Sequence, residues 1–195
     1  MERFVSKQFA EREKERFTQQ EDKKEIKPLT AEQAAELVAK SKGRVRGIAT
    51  LTSIDKDVAQ ELAKFKGNYL SLRGLNSIDK DVAKELAKFK GELYLDGLTS
   101  IDKDVAKELS ASNGGLLLNG LTSIDQDVAK ELKILKSGLW LNGLSSMDED
   151  VAEELVEIEG ELYVGNLVSN PMNNAALKIL RSNPSIVVDL PKFNY

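Results

Sequence analysis

The chain has neither cysteine nor histidine among its 195 residues, and only four prolines. Without cysteine it can form no disulfide framework, thiolate nucleophile, zinc–thiolate site or iron–sulfur cluster. Without histidine it lacks the commonest metal ligand and the side chain that most often acts as a base near neutral pH. Any catalysis would fall to carboxylates, Lys, Tyr, Ser/Thr or a metal held by oxygen. No stretch approaches the ~18 consecutive apolar residues of a membrane span. The N-terminus, MERFVSKQFAEREKERF, alternates charges and has no apolar signal-peptide segment. These absences make the cytoplasm the default location. A balance of 28 basic against 32 acidic residues argues against a dedicated nucleic-acid or membrane binder.

What the chain does have is a repeat. Ser-Ile-Asp recurs at Ser53-Ile54-Asp55, Ser77-Ile78-Asp79, Ser100-Ile101-Asp102 and Ser123-Ile124-Asp125, and Ser146-Met147-Asp148 continues it, at spacings of 24, 23, 23 and 23. Residues 54–67 and 78–91 differ only at Gln60 versus Lys84, which points to recent duplication or consensus design. Each unit reads as a strand followed by a helix. Leu93-x-Leu95 has the period-2 alternation of a half-buried strand, and Gly97 allows a turn. Asp102 is a natural N-cap, and Asp104 places a negative charge in the first turn, where the helix dipole favours it. Val105, Ala106 and Leu109 follow at helical spacing, and Gly67, Gly91 and Gly160 serve as stops in the sister units. One strand with a ten-residue helix cannot bury its own apolar face. Copies must therefore stack into a continuous core, with parallel strands and right-handed crossovers.

The 23-residue period and the pattern Leu93-x-Leu95-x-x-Leu98-x-x-Ile101 resemble leucine-rich repeats. The likeness is to the short bacterial leucine-rich-like repeats and covers residues 44–167. It implies an α/β leucine-rich-repeat-like solenoid: one parallel sheet of about seven short strands, with helices on the other face. One position departs from the family. Leu75, Leu98, Leu121, Leu144 and Leu167 stand where the family consensus has its ladder asparagine.

The expected organisation is a charged arm at 1–27, a capping repeat at 28–50, tandem repeats at 51–168 and a capping helix and strand at 169–195. In the arm, 15 of 27 residues are charged (eight basic, seven acidic), which predicts a partly helical or disordered segment. Thr30 with Gln33 reads as a capping box opening a helix through about Lys40, with a degenerate strand at 45–48. Asn170-Pro171 reads as an N-cap and first-turn proline, and Ile186-Val187-Val188 as the last strand.

With the leucines inward, alternate strand residues face outward. Down the stack they form the column Ser71, Tyr94, Leu117, Trp140 and Tyr163, which takes the only Trp and two of the four Tyr. Glu92, Gly115, Gly138 and Glu161 flank it on one side; Arg73, Asp96, Asn119, Asn142 and Gly165 flank it on the other. At ~4.8 Å between strands the bulky members would make a stripe of about 300–400 Å². Gly115 and Gly138 suggest a shallow groove beside Leu117 and Trp140.

Aromatic anchors with polar neighbours are typical of interface cores. The sequence therefore predicts a non-enzymatic protein-binding module. Its candidate partner-binding residues are Tyr94, Leu117, Trp140, Tyr163, Asp96, Asn119 and Asn142. Self-assembly through the stripe, the arm or the solenoid ends is the alternative, and glycan binding on the same face a narrower one. The repeated Asp-x-Asp pairs, such as Asp102/Asp104, could line up carboxylates for Ca²⁺, but capping explains both positions. No catalytic residue, cofactor, metal, nucleic-acid or membrane partner is expected.

Overall fold

A computed structural model describes residues 28–41, 45, 48–167 and 171–188; the arm at 1–27 lies outside the described residues. The chain alternates helix and strand: α1 (Ala31–Lys40), α2 (Lys56–Ala63), β1 (Tyr69–Ser71), α3 (Lys80–Leu86), β2 (Glu92–Tyr94), α4 (Lys103–Leu109), β3 (Leu116–Leu117), α5 (Gln126–Leu132), β4 (Leu139–Trp140), α6 (Glu149–Leu155), β5 (Leu162–Tyr163), α7 (Asn174–Leu180) and β6 (Ile186–Val187). The six strands form one all-parallel sheet in chain order, and each helix packs on the next. Such a repeating α/β arrangement is compatible with a repeat solenoid.

Helices α2 to α5 begin where aspartates place them, whereas Asp148 precedes α6 without a side-chain cap bond. The carboxylates of Asp55, Asp79, Asp102 and Asp125 each accept from the backbone N–H three residues on, at 2.8 Å. Each such cap is worth about 1 kcal/mol. In α1 the Thr30–Gln33 capping box forms in full. From each of α2 to α6 a Val, an Ala and a Leu turn inward, as Val105, Ala106 and Leu109 do in α4. They meet two strand leucines, such as Leu93 and Leu95, and the turn leucine Leu98, all fully buried in one continuous core. The turn itself is closed by the Leu98 N–H donating to the Leu95 carbonyl at 3.0 Å.

In the inner repeats the stacking leaves no room for a side chain beside these turns. A Cβ on Gly97 would lie 2.2 Å from the Arg73 carbonyl oxygen of the preceding repeat, and one on Gly120 would lie 2.1 Å from that of Asp96. A side chain there would push successive repeats apart.

Two expectations are corrected. The sheet has six strands among the described residues, not seven. Val45 and Ile48 lie outside any strand, and residues 46–47 fall outside the description. At the other end, α7 starts after Asn173 instead of Asn170, and Pro171 sits in a turn. Asn173 explains the shift. Its buried side chain accepts from the Met147 N–H and donates to the Ser145 carbonyl, both at 3.2 Å, tying α7 to the preceding repeat.

Candidate functional site on the open sheet face

Parallel pairing places Ser71, Tyr94, Leu117, Trp140 and Tyr163 in one register, each half-buried, and adds Val187 at the end. Two aromatic clusters occupy this column. Trp140 and Tyr163 stack with centroids 4.8 Å apart and planes within 2°. That separation matches the strand spacing, so neighbouring strands bring the rings into contact directly. The Tyr163 hydroxyl donates to Glu161 at 2.9 Å.

In the other cluster, Tyr69 meets Tyr94 edge-on at 5.7 Å. The Arg73 guanidinium lies 4.6 Å from the centre of the Tyr94 ring, a cation–π contact. The Arg73 Nε also donates to Asp96 at 2.8 Å, and the Tyr94 hydroxyl donates to Glu92 at 2.9 Å. Both phenols are held above the usual tyrosine range. For Tyr94 the main cause is burial, followed by its bond to Glu92; for Tyr163 it is the bond to Glu161, followed by burial. Both therefore remain hydrogen-bond donors at any physiological pH.

The space beside Trp140 is filled, so the shallow groove read from Gly115 and Gly138 is not there. A Cβ on Gly138 would sit 2.5 Å from the indole Cη2, and one on Gly115 would sit 2.9 Å from Cζ3. These glycines are the seat on which the indole lies.

The polar flank is committed inside the molecule. Asp96 accepts from the Asn119 backbone and side-chain amides, at 3.2 and 2.8 Å. Asn119 in turn accepts from the Asn142 backbone N–H at 3.0 Å, and Asn142 accepts from that of Gly165 at 2.7 Å. A half-buried amide ladder thus runs between repeats, on the outward side of the turn. Of the three polar candidates, Asn142 retains a side-chain NH₂ without a partner among the described residues.

Tyr69 and Val187 were missed as members of this face. Tyr69 is 38% exposed and pairs in register with Glu92. The signal was present: the first interval is one residue longer, and Tyr69 lies two residues before Ser71, on the same side of the strand. Among the described residues no group of three or more acidic side chains converges as a metal site, and no helix is long and apolar enough to cross a membrane. No protein-family model matches the chain, and no curated protein matches it.

Proposed function

We propose that the chain is a leucine-rich-repeat-like solenoid acting as a non-catalytic protein-binding module, with the aromatic stripe as its contact face. Strands in chain order and helices packed in succession support the solenoid reading. One observation carries the functional reading. At the inward strand position successive repeats hold Leu70, Leu93, Leu116, Leu139 and Leu162, while the adjacent outward position changes every time. Stacking demands the leucines. Nothing in the stack demands Tyr94, Trp140 or Tyr163.

Recognition would be preorganised. The anchors sit on paired strands, and their rings are already held by Arg73, Glu92, Glu161 and one another, so little side-chain entropy is lost on binding. Sugar stacking fits less well, because Trp140 and Tyr163 each spend a ring face on the other.

The test is the double change Trp140→Ala with Tyr163→Ala. A partner recovered with the wild-type chain and then purified should lose binding by about 100-fold or more, while the melting temperature falls by only a few degrees. Unchanged affinity would overturn the proposal. Loss of the cooperative thermal transition would instead make the stripe an internal packing element. Self-assembly is the second reading, because β1 and β6 each pair on one side only among the described residues. Light scattering with and without residues 1–27 separates the two: an arm-dependent oligomer favours assembly, and a monomer in both cases sinks it.

A further inference from the structure

A second surface lies on the edge where helices hand over to strands. A cavity of about 670 Å³, within the range of ligand sites, crosses three successive loops and is lined by Lys64, Lys66, Lys88, Lys90 and loop glycines including Gly91 and Gly114. Its one acidic lining residue, Glu92, is engaged by the Tyr94 hydroxyl. Lys64 and Lys88 are paired with Glu61 and Glu85 on their own helices, each at 2.6 Å. Lys66 and Lys90 are exposed and have no acidic partner among the described residues.

The fold does not require these charges. A lysine past the end of a helix suits the helix dipole, which is the plain structural reason to find one there. Yet the later repeats place Ala111, Ile134 and Glu157 at the position of Lys88, and Asn113, Lys136 and Glu159 at that of Lys90. Neutral and acidic side chains serve the same loops. The basic pairs are therefore a local property of the first two repeats, in a chain whose net charge is −4.

We propose that this groove docks a short acidic segment of a partner protein, its carboxylates pairing with Lys66 and Lys90. The groove adjoins the aromatic stripe at Glu92 and Gly115, but its four lysines lie outside the stripe, and the proposal does not rest on the stripe's function. A second copy of this chain is a poor occupant, because the acids on its matching edge are already held: Glu157 by Lys133 at 2.6 Å and Glu159 by Lys136 at 3.7 Å. Nucleic acid is also a poor fit. Phe65 and Phe89 stack on each other with ring centres 6.1 Å apart and are buried, leaving no open ring for a base.

The experiment is fluorescence anisotropy of a fluorescein-labelled hexaglutamate peptide titrated with the full chain at low salt. Binding should weaken about tenfold or more in the variant Lys66→Glu/Lys90→Glu, and also on raising the salt. The variant Lys84→Glu/Lys107→Glu, which changes exposed helix lysines outside the groove by the same charge, should bind as wild type. Should the reversal variant fail to fold, Lys66→Gln/Lys90→Gln must show a smaller loss in the same direction. No binding by the wild type, an equal loss in the helix-lysine control, a thymidine oligonucleotide binding more tightly than the peptide, or a wild-type chain that dimerises through Lys66 and Lys90 would each overturn the assignment.

Discussion

The two sides of each strand follow different rules. Inward, Leu70, Leu93, Leu116, Leu139 and Leu162 are one side chain repeated, each at most 1% exposed. Outward, Ser71, Tyr94, Leu117, Trp140 and Tyr163 share only their register. Five copies of one unit in one chain make a controlled comparison: what the stack needs stays constant, and what it tolerates drifts. Protein interiors are close-packed, so a change of one methylene is felt. A half-exposed side chain has solvent to expand into. The constant side therefore reports stability, and the variable side is where a binding function can be written.

The sharpest way to break this contrast is at adjacent residues of β3. Leu116→Ala should cost about 3 kcal/mol, because the closed stack cannot collapse around the lost volume. Leu117→Ala, one residue on, should cost under about 1 kcal/mol. Urea denaturation of both variants measures the difference, and equal losses would erase the distinction between the faces.

Gly138→Ala probes where the two sides meet. The new Cβ would strike the indole 2.5 Å away and displace it from Tyr163. The expected loss is about 1 kcal/mol, the scale of one aromatic pair. Because Trp140 is the only tryptophan, its emission and the near-ultraviolet circular dichroism should change while the far-ultraviolet spectrum does not. An unaltered tryptophan signal would mean that the indole does not rest on Gly138.

The smallest effect is on pH dependence. Tyr94 and Tyr163 hold their protons more tightly folded than unfolded. Their contribution to stability is thus complete below the ordinary tyrosine value of about 10 and is lost as pH rises through the raised folded values. Ultraviolet titration of tyrosinate should show Tyr94 and Tyr163 ionising above the ordinary tyrosine value. Replacing Glu161 with Gln should advance Tyr163 alone.

Much of this was legible because the repeat states its rules five times. The N-cap aspartates, the inward leucines and the outward column follow from period and alternation, which are local properties of the chain. The amide ladder was not legible at its actual place. Asn119 and Asn142 sit beside the turn glycines as exposed polar residues would, and only the apposition of successive loops turns their side chains toward the next backbone. The role of Gly115 and Gly138 was hidden for the same reason. A glycine in sequence reads as empty space, and which neighbour enters that space depends on how Trp140 leans. At the C-terminal end Asn170-Pro171 carried a plausible local start signal, but the buried bonds of Asn173 outweighed it.

Sequence by itself determined the repeating unit and the side of each strand that faces the core, because capping and alternation act within a few residues. Only the tertiary structure decided which outward side chains touch. The stacking of Trp140 on Tyr163, the clasp of Arg73 on Tyr94 and the lysine-lined edge all join residues about one repeat apart. Those contacts exist only when the stacking of strands, about 4.8 Å apart, brings successive copies together.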